Sequence, residues 1–76
     1  MASPAAQLVE FIARAIVTNS EAVAVRESDG GRMLELETAE EDRGRVIGRQ
    51  GRVAKAIRAA LAASRHGANV RLDIVD

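Results

Sequence analysis

The stretch Gly44-Arg45-Val46-Ile47-Gly48-Arg49-Gln50-Gly51-Arg52 places two glycines three residues apart within a run of arginines. A backbone without side chains at Gly48 and Gly51 allows a second backbone to approach closely. The positive charge on both sides of the glycines indicates that the second backbone carries phosphates. The stretch therefore predicts a binding loop rather than a catalytic site.

The charges of the 76-residue chain sum to zero, but they are segregated along the sequence. From Glu27 to Asp42 there are seven acidic residues and one basic residue, Arg32. From Arg43 to Arg58 there are six basic residues and no acidic residue. One face can therefore be basic on a neutral molecule. The alternative is that these charges only solvate exposed helix faces, and the glycine pair among the arginines argues for binding instead.

Composition predicts one small folded domain over residues 1–76, because 47% of the residues are hydrophobic and 29% are charged. The absence of cysteine and the presence of a single histidine exclude disulfides and a thiolate or imidazole metal site. Three adjacent acids, Glu40, Glu41 and Asp42, are explained by the dipole of a helix start. We expect no metal and no cofactor. The N-terminal segment predicts neither a signal peptide nor a membrane span, so we expect a soluble cytoplasmic protein.

The first element is predicted to be a helix that begins at Ser3 and Pro4, since serine can cap free amides and proline suits the first helical position. Apolar residues then recur at helical spacing. They are Leu8, Phe11, Ile12, Ala15 and Ile16. The helix is expected to end near Val17, with Asn19 as a left-handed cap. The spacing assigns Phe11, the only aromatic residue, to the core rather than to base stacking.

Two strands are predicted to follow as a hairpin, from Glu21 to Ser28 and from Arg32 to Thr38, around the turn Asp29-Gly30-Gly31. A third strand is predicted near the C-terminus. The residues expected to face the helices are Val23, Val25, Leu34, Leu36, Val70, Leu72 and Ile74. The last strand should lie parallel to the second, because two helices intervene between them.

Two further helices are predicted around the glycine loop. The first starts between Thr38 and Asp42, capped by a Thr38–Glu41 capping box or by Asp42, and stops at Gly48. The second runs from Arg52 to Arg65. Its core stripe is predicted to contain Val53, Ile57, Ala60, Leu61 and Ser64, with His66 as a cap residue and Gly67 as the stop. The result is an α+β fold, a three-stranded mixed sheet with three helices on one face.

This order of elements, αββααβ, together with the Ile47-Gly48-Arg49-Gln50-Gly51 loop, resembles a type II KH domain over nearly the whole chain. The small size resembles the bacterial single-KH RNA-binding proteins of the KhpA group. The resemblance implies that a single-stranded RNA or DNA segment of about four nucleotides is clamped by the loop between the two helices. It also implies that Gly44 permits close helix packing.

The resemblance carries specific roles to the loop and its flanks. Arg49 is the basic variable position of the loop, Gln50 adds a neutral donor, and the Gly51 amide lies at a helix start that favours anions. An apolar groove would seat the bases above Leu36. The residues expected to bind RNA are Arg45, Val46, Ile47, Gly48, Arg49, Gln50, Gly51, Arg52, Val53, Ala54 and Lys55. Ile47 and Val53 could equally be core residues. Because no aromatic platform is available, binding by one copy should be weak and loosely selective.

The resemblance further implies a homodimer, a heterodimer with a larger KH-containing protein of the Jag family, and a role in post-transcriptional control or RNA chaperoning linked to cell elongation and division. Small residues on the last helix would allow a second copy to approach. They are Ala56, Ala59, Ala60 and Ala63. The competing hypotheses are a protein-interaction or ribosome-assembly adaptor and a helix-turn-helix reader of duplex DNA. Neither GxxxxGK[ST] nor GxGxxG occurs, so no enzyme is predicted.

Overall fold

The computed structural model describes residues 2–65 and 67–75. Its helices and strands follow the predicted order. They are α1 (Pro4–Ile16), β1 (Ala24–Ser28), β2 (Met33–Glu37), α2 (Arg43–Ile47), α3 (Arg52–Ala63) and β3 (Arg71–Ile74). The expected αββααβ arrangement of a type II KH domain is therefore confirmed.

The sheet has the order β1-β2-β3, with β1 antiparallel to β2 and β3 parallel to β2. Leu36 is the register partner of Val25 on one side and of Ile74 on the other. Leu34 and Leu36 are fully buried, so β2 forms the centre of the core. The alternation of apolar and charged residues in β2 fixed this face, since a shift by one residue would bury its glutamates.

The buried face of α1 is shifted from the predicted one: Leu8, Ile12 and Ile16 pack against the core as predicted, whereas Phe11 and Ala15 are exposed. Its buried residues are Ala5, Ala6, Val9 and Ala13, while Phe11 is 74% exposed. The prediction that Phe11 lies in the core was wrong. Small side chains allow α1 to lie close to the sheet, and Phe11 points away because it follows Val9 by about 200° around the helix.

The two ends of α1 differ in how well the sequence predicted them. The Ser3 hydroxyl accepts a hydrogen bond from the Ala6 amide at 3.2 Å, which confirms the predicted N-cap. Asn19 is not a left-handed cap, because its φ is −110° and α1 already ends in an extended residue, Val17. The Asn19 amide instead donates to a carboxylate oxygen of Asp42.

The region before α2 forms without the predicted capping box. A short 3-10 turn, Glu40–Asp42, leads into α2, and the Thr38 hydroxyl donates to the Ala39 carbonyl rather than capping a helix. Asp42 does occupy the position before α2, but its side chain makes no hydrogen bond to that helix. A side chain at Gly44 would meet no atom within 4 Å, so the predicted close packing at Gly44 is wrong.

The end of α3 comes two residues before the predicted end, because Ser64 adopts an extended conformation. Ala60 is exposed, so its assignment to the core stripe was wrong, whereas Ile57 and Leu61 are buried as predicted. Gly67 is buried, and an added Cβ would overlap the Leu61 carbonyl oxygen. Gly67 therefore serves close packing beneath α3. The predicted cap residue His66 lies outside the described residues.

Candidate nucleic-acid interface

The glycine loop connects α2 to α3 through one tight 3-10 turn, Arg49–Gly51. Three residues with positive φ shape it. Gly48 has φ 77° and ψ 169°, Gln50 has φ 58° and ψ 24°, and Gly51 has φ 74° and ψ 15°. A non-glycine residue such as Gln50 adopts a left-handed conformation at an energetic cost, which surrounding structure must offset.

The two glycines of the loop have different structural roles. At Gly48 an added Cβ would lie 2.7 Å from the Val53 amide nitrogen and 2.8 Å from the Val53 Cβ. Gly48 therefore lets the loop pack against the first turn of α3. At Gly51 an added Cβ would meet nothing within 4 Å, so the backbone there borders open space. Only at Gly51 does the missing side chain leave room for an external backbone.

Two amides of the loop are already used within the chain. The Gly51 amide donates to the Gly48 carbonyl at 3.1 Å, and the Arg52 amide donates to the Arg49 carbonyl. The prediction of unpaired amides at Gly51 and its neighbours is therefore wrong for the amides of Gly51 and Arg52.

The cations around the loop are exposed, and all of them except Arg45 are separate from the acidic half of the chain. The side chains of Arg49 and Lys55 have no ion pair or hydrogen bond within the described residues. Arg52 donates from Nη2 to the Gln50 Oε1 at a long 3.5 Å. Arg45 differs, since its Nε lies 3.7 Å from Oδ1 of Asp42. Three cations at the start of α3 and in the loop are thus not neutralised by a carboxylate.

The predicted apolar groove is mostly filled. Val46 and Leu36 are fully buried, and Ala54 is also buried, whereas Ile47 and Val53 are partly exposed. The structure therefore brings only Ile47 and Val53 to the surface next to the loop.

A buried carboxylate anchors the helix that leads into the loop. Asp42 is fully buried, and its Oδ1 accepts from the Thr18 amide at 3.0 Å and from the Thr18 hydroxyl at 2.8 Å. Its Oδ2 accepts from the Asn19 amide at 2.9 Å. The pKa of Asp42 lies below its ordinary value of 3.8, chiefly because the Thr18 amide donates to the carboxylate. Burial raises this pKa, and the Asn19 amide, the Thr18 hydroxyl and the Arg45 guanidinium lower it further.

The lowered pKa of Asp42 predicts an acid-sensitive fold. Because the folded-state pKa is below the unfolded value, this carboxylate contributes stability above pH about 4 and loses it as pH falls through the folded value. Thermal unfolding followed by circular dichroism should show a midpoint that drops below pH 4. The drop should be smaller in Asp42→Asn than in Asp73→Asn, a control at the half-exposed acid of β3. Equal drops in the two variants would contradict this prediction.

Arg58 connects α3 to the last strand. Its Nε donates to the Leu72 carbonyl at 3.0 Å. Since β3 lies at the edge of the sheet formed by the described residues, this bond covers part of its free edge. Sequence reasoning placed Arg58 in the general basic run and could not identify the contact, because its acceptor is a backbone atom of another element.

Elsewhere on the surface, an open depression of about 480 Å³ lies along α1 and is lined by Gln7, Glu10, Phe11, Arg14 and Ala15. It contains no loop residue. No group of three or more His, Cys, Asp or Glu side chains within residues 2–65 and 67–75 could hold a metal ion. No helix in the described part of the chain is long and apolar enough to span a membrane.

Known proteins that are similar to this chain point to one family of KH domains. A family described as "KhpA/KhpB, KH domain" matches residues 6–74. The RNA-binding protein KhpA of Halalkalibacterium halodurans is 47% identical over 73 residues, covering 91% of this chain and 96% of that protein. The RNA-binding protein KhpA of Treponema pallidum is 43% identical over 74 residues, covering 92% of each chain. No solved structure matches the chain.

Proposed function

The chain belongs to the KhpA/KhpB family of KH domains, and from this premise we propose that it binds single-stranded RNA through the loop between α2 and α3. The observation that carries the proposal is the pairing of open space at Gly51 with exposed, uncompensated cations at Arg49 and Lys55. Relatives named for RNA binding cover more than nine-tenths of the chain, which supports the same ligand.

In the proposed complex the RNA backbone crosses the loop at Gly51, where no side chain blocks it. Arg49, Arg52 and Lys55 contact phosphates, and Gln50 adds a neutral hydrogen-bond donor. Ile47 and Val53 offer aliphatic contact to bases, while the buried Val46 and Ala54 support them from below. Without an aromatic platform, one copy should bind weakly and with little base selectivity.

Salt dependence tests this proposal directly. Three phosphate contacts on a single strand predict a slope of about −2 for log affinity against log salt, since each contributes about 0.7. Fluorescence anisotropy with a labelled 12-nucleotide RNA of mixed sequence should give this slope, and the matching duplex should bind more weakly. An affinity that does not change with salt would contradict the proposal and favour the adaptor role.

The proposal includes self-association through α3. The alanines predicted for this contact, Ala56, Ala59, Ala60 and Ala63, are all exposed. Two coupled copies would gain avidity from two weak RNA sites. A heterodimer with a larger KH-containing protein of the Jag family would use the same helix, and the family description names two groups, KhpA and KhpB. The proposed cellular role is post-transcriptional control or RNA chaperoning in the cytoplasm, linked to cell elongation and division.

For the dimer, Ala59→Arg should place a charge in the contact and yield a monomer in sedimentation velocity experiments. Ala15→Arg on the exposed side of α1 is the matched control and should leave the dimer intact. A variant at Ala59 that still sediments as a dimer would place the interface on another face.

A further inference from the structure

The helix that leads into the RNA loop is too short to hold its own position. α2 contains five residues, far fewer than an isolated helix needs to be stable in water. Gly48 follows its last residue directly, so the placement of α2 determines where the loop points. At its C-terminal end, the buried Val46 packs into the core. A second, polar contact fixes its beginning.

That contact comes from Asp42, which does not behave as an ordinary residue at a helix start. Such an acid usually accepts hydrogen bonds from the first amides of its own helix. Asp42 makes none of these, and both of its oxygens accept from Thr18 and Asn19, 24 and 23 residues earlier. The carboxylate therefore ties the start of α2 to the chain just after α1.

Arg45 is the charged partner of this tie. Its Nε lies 3.7 Å from the same Oδ1 that accepts from Thr18. The hydrogen bonds from Thr18 and Asn19 contribute most to holding this buried carboxylate ionised, and the Arg45 guanidinium, on a side chain that is 60% exposed, adds a smaller compensating charge. Arg49 has no carboxylate near it among the described residues. Arg45 thus lies beside a carboxylate, whereas Arg49, four residues later, has no carboxylate partner among the described residues.

We propose that Asp42 is a positioning residue for the RNA loop, that Arg45 is its structural partner, and that phosphate-binding charge comes from Arg49, Arg52 and Lys55 without Arg45. The RNA part of this inference rests on the proposed function. The positioning part concerns the chain alone and can be tested without RNA.

The first experiment separates the two arginines by their salt slopes on the same 12-nucleotide RNA. Arg49→Gln should reduce the slope by about 0.7 and leave the unfolding midpoint unchanged. Arg45→Gln should weaken RNA binding severalfold and lower the midpoint, with the slope unchanged. Arg71→Gln is the matched control, because Arg71 also lies 3.7 Å from an aspartate, Asp73 on β3, but the Asp73 side chain is 46% exposed whereas Asp42 is fully buried. A slope reduced equally by Arg45→Gln and Arg49→Gln overturns the division of roles, and so does an Arg45→Gln protein identical to the wild type.

The second experiment reads the loop directly by NMR. Asp42→Asn removes the charge and replaces one of the two accepting oxygens with an NH2 group, so the amide of either Thr18 or Asn19 loses its acceptor. The amide shifts of residues 48–51 should change in this variant and stay unchanged in Asp73→Asn, which alters net charge equally. Thr18→Val, which removes only the hydroxyl donor, should change the same shifts by less and keeps the test available if Asp42→Asn does not fold.

The outcomes distinguish the inference from the function on which it rests. Unchanged loop shifts in both Asp42→Asn and Thr18→Val would overturn the positioning role, whatever the RNA result. A wild-type protein that binds no RNA would defeat the proposed function and the charge assignment, while changed loop shifts would still support Asp42 as the residue that places the loop.

Discussion

Gly48→Ala is expected to remove about half of the stability of this domain. The new methyl group would lie 2.7 Å from the Val53 amide nitrogen and 2.8 Å from its Cβ, inside the first turn of α3. Gly48 itself has φ 77° and ψ 169°, a conformation that only glycine adopts readily. Backbone strain of about 1–3 kcal/mol and overpacking of about 1–3 kcal/mol give a loss of about 2–6 kcal/mol. A domain of this size has about 4–11 kcal/mol in total.

Gly51→Ala provides the matched comparison for Gly48→Ala. Gly51 has a similar φ of 74°, but its added methyl would meet nothing within 4 Å. Only the left-handed conformation costs energy there, about 1–2 kcal/mol. Urea denaturation followed by circular dichroism measures both losses. Equal losses at the two glycines would mean that contact with Val53 does not matter.

Reversing the charge of the loop is expected to have the largest effect on binding. Arg49→Asp with Gln50→Asp removes one charge-assisted contact, worth about 1.5–3 kcal/mol, and adds two repulsions toward phosphate. The affinity for the 12-nucleotide RNA should fall about a hundredfold or more. Both side chains are exposed, so the fold and the oligomeric state should be preserved. Anisotropy titration measures the affinity, and circular dichroism with sedimentation verifies the fold.

The control for this double variant uses the same two residue types on another helix. Gln7→Asp with Arg14→Asp changes the net charge by the same amount on the exposed side of α1. If the loop is the binding site, this control should retain nearly all of the affinity. Equal losses in the two double variants would show that RNA responds to overall charge rather than to the loop.

Strand positions and the loop could be predicted from the sequence because they depend on local patterns. Leu34 and Leu36 alternate with charged residues, and alternation determines which face of a strand is buried. Gly48 and Gly51 mark the loop because their spacing among arginines is a short-range feature. Both glycines were found with positive φ, at the junctions that the sequence indicated.

Contacts between distant residues could not be predicted in this way. Phe11 has the spacing of a core residue, but the buried face of α1 is centred on Ala5, Val9 and Ala13, so Phe11 lies outside it. Asp42 looked like an acid placed for the helix dipole, and its actual partners lie 23 and 24 residues earlier. No local pattern reports either fact, since each depends on how the helices pack.

The different structural roles of Gly48 and Gly51 affect which of the two glycines can be replaced during the evolution of such domains. Gly48 is required for α3 to begin where it does, so it is needed by any copy that folds, including one that has lost its ligand. The fold requires Gly51 only for its left-handed backbone, and in the proposed function Gly51 also leaves space for the RNA backbone. A descendant that gave up nucleic acid would thus be free to replace the second glycine long before the first, and that asymmetry would distinguish inherited architecture from retained activity.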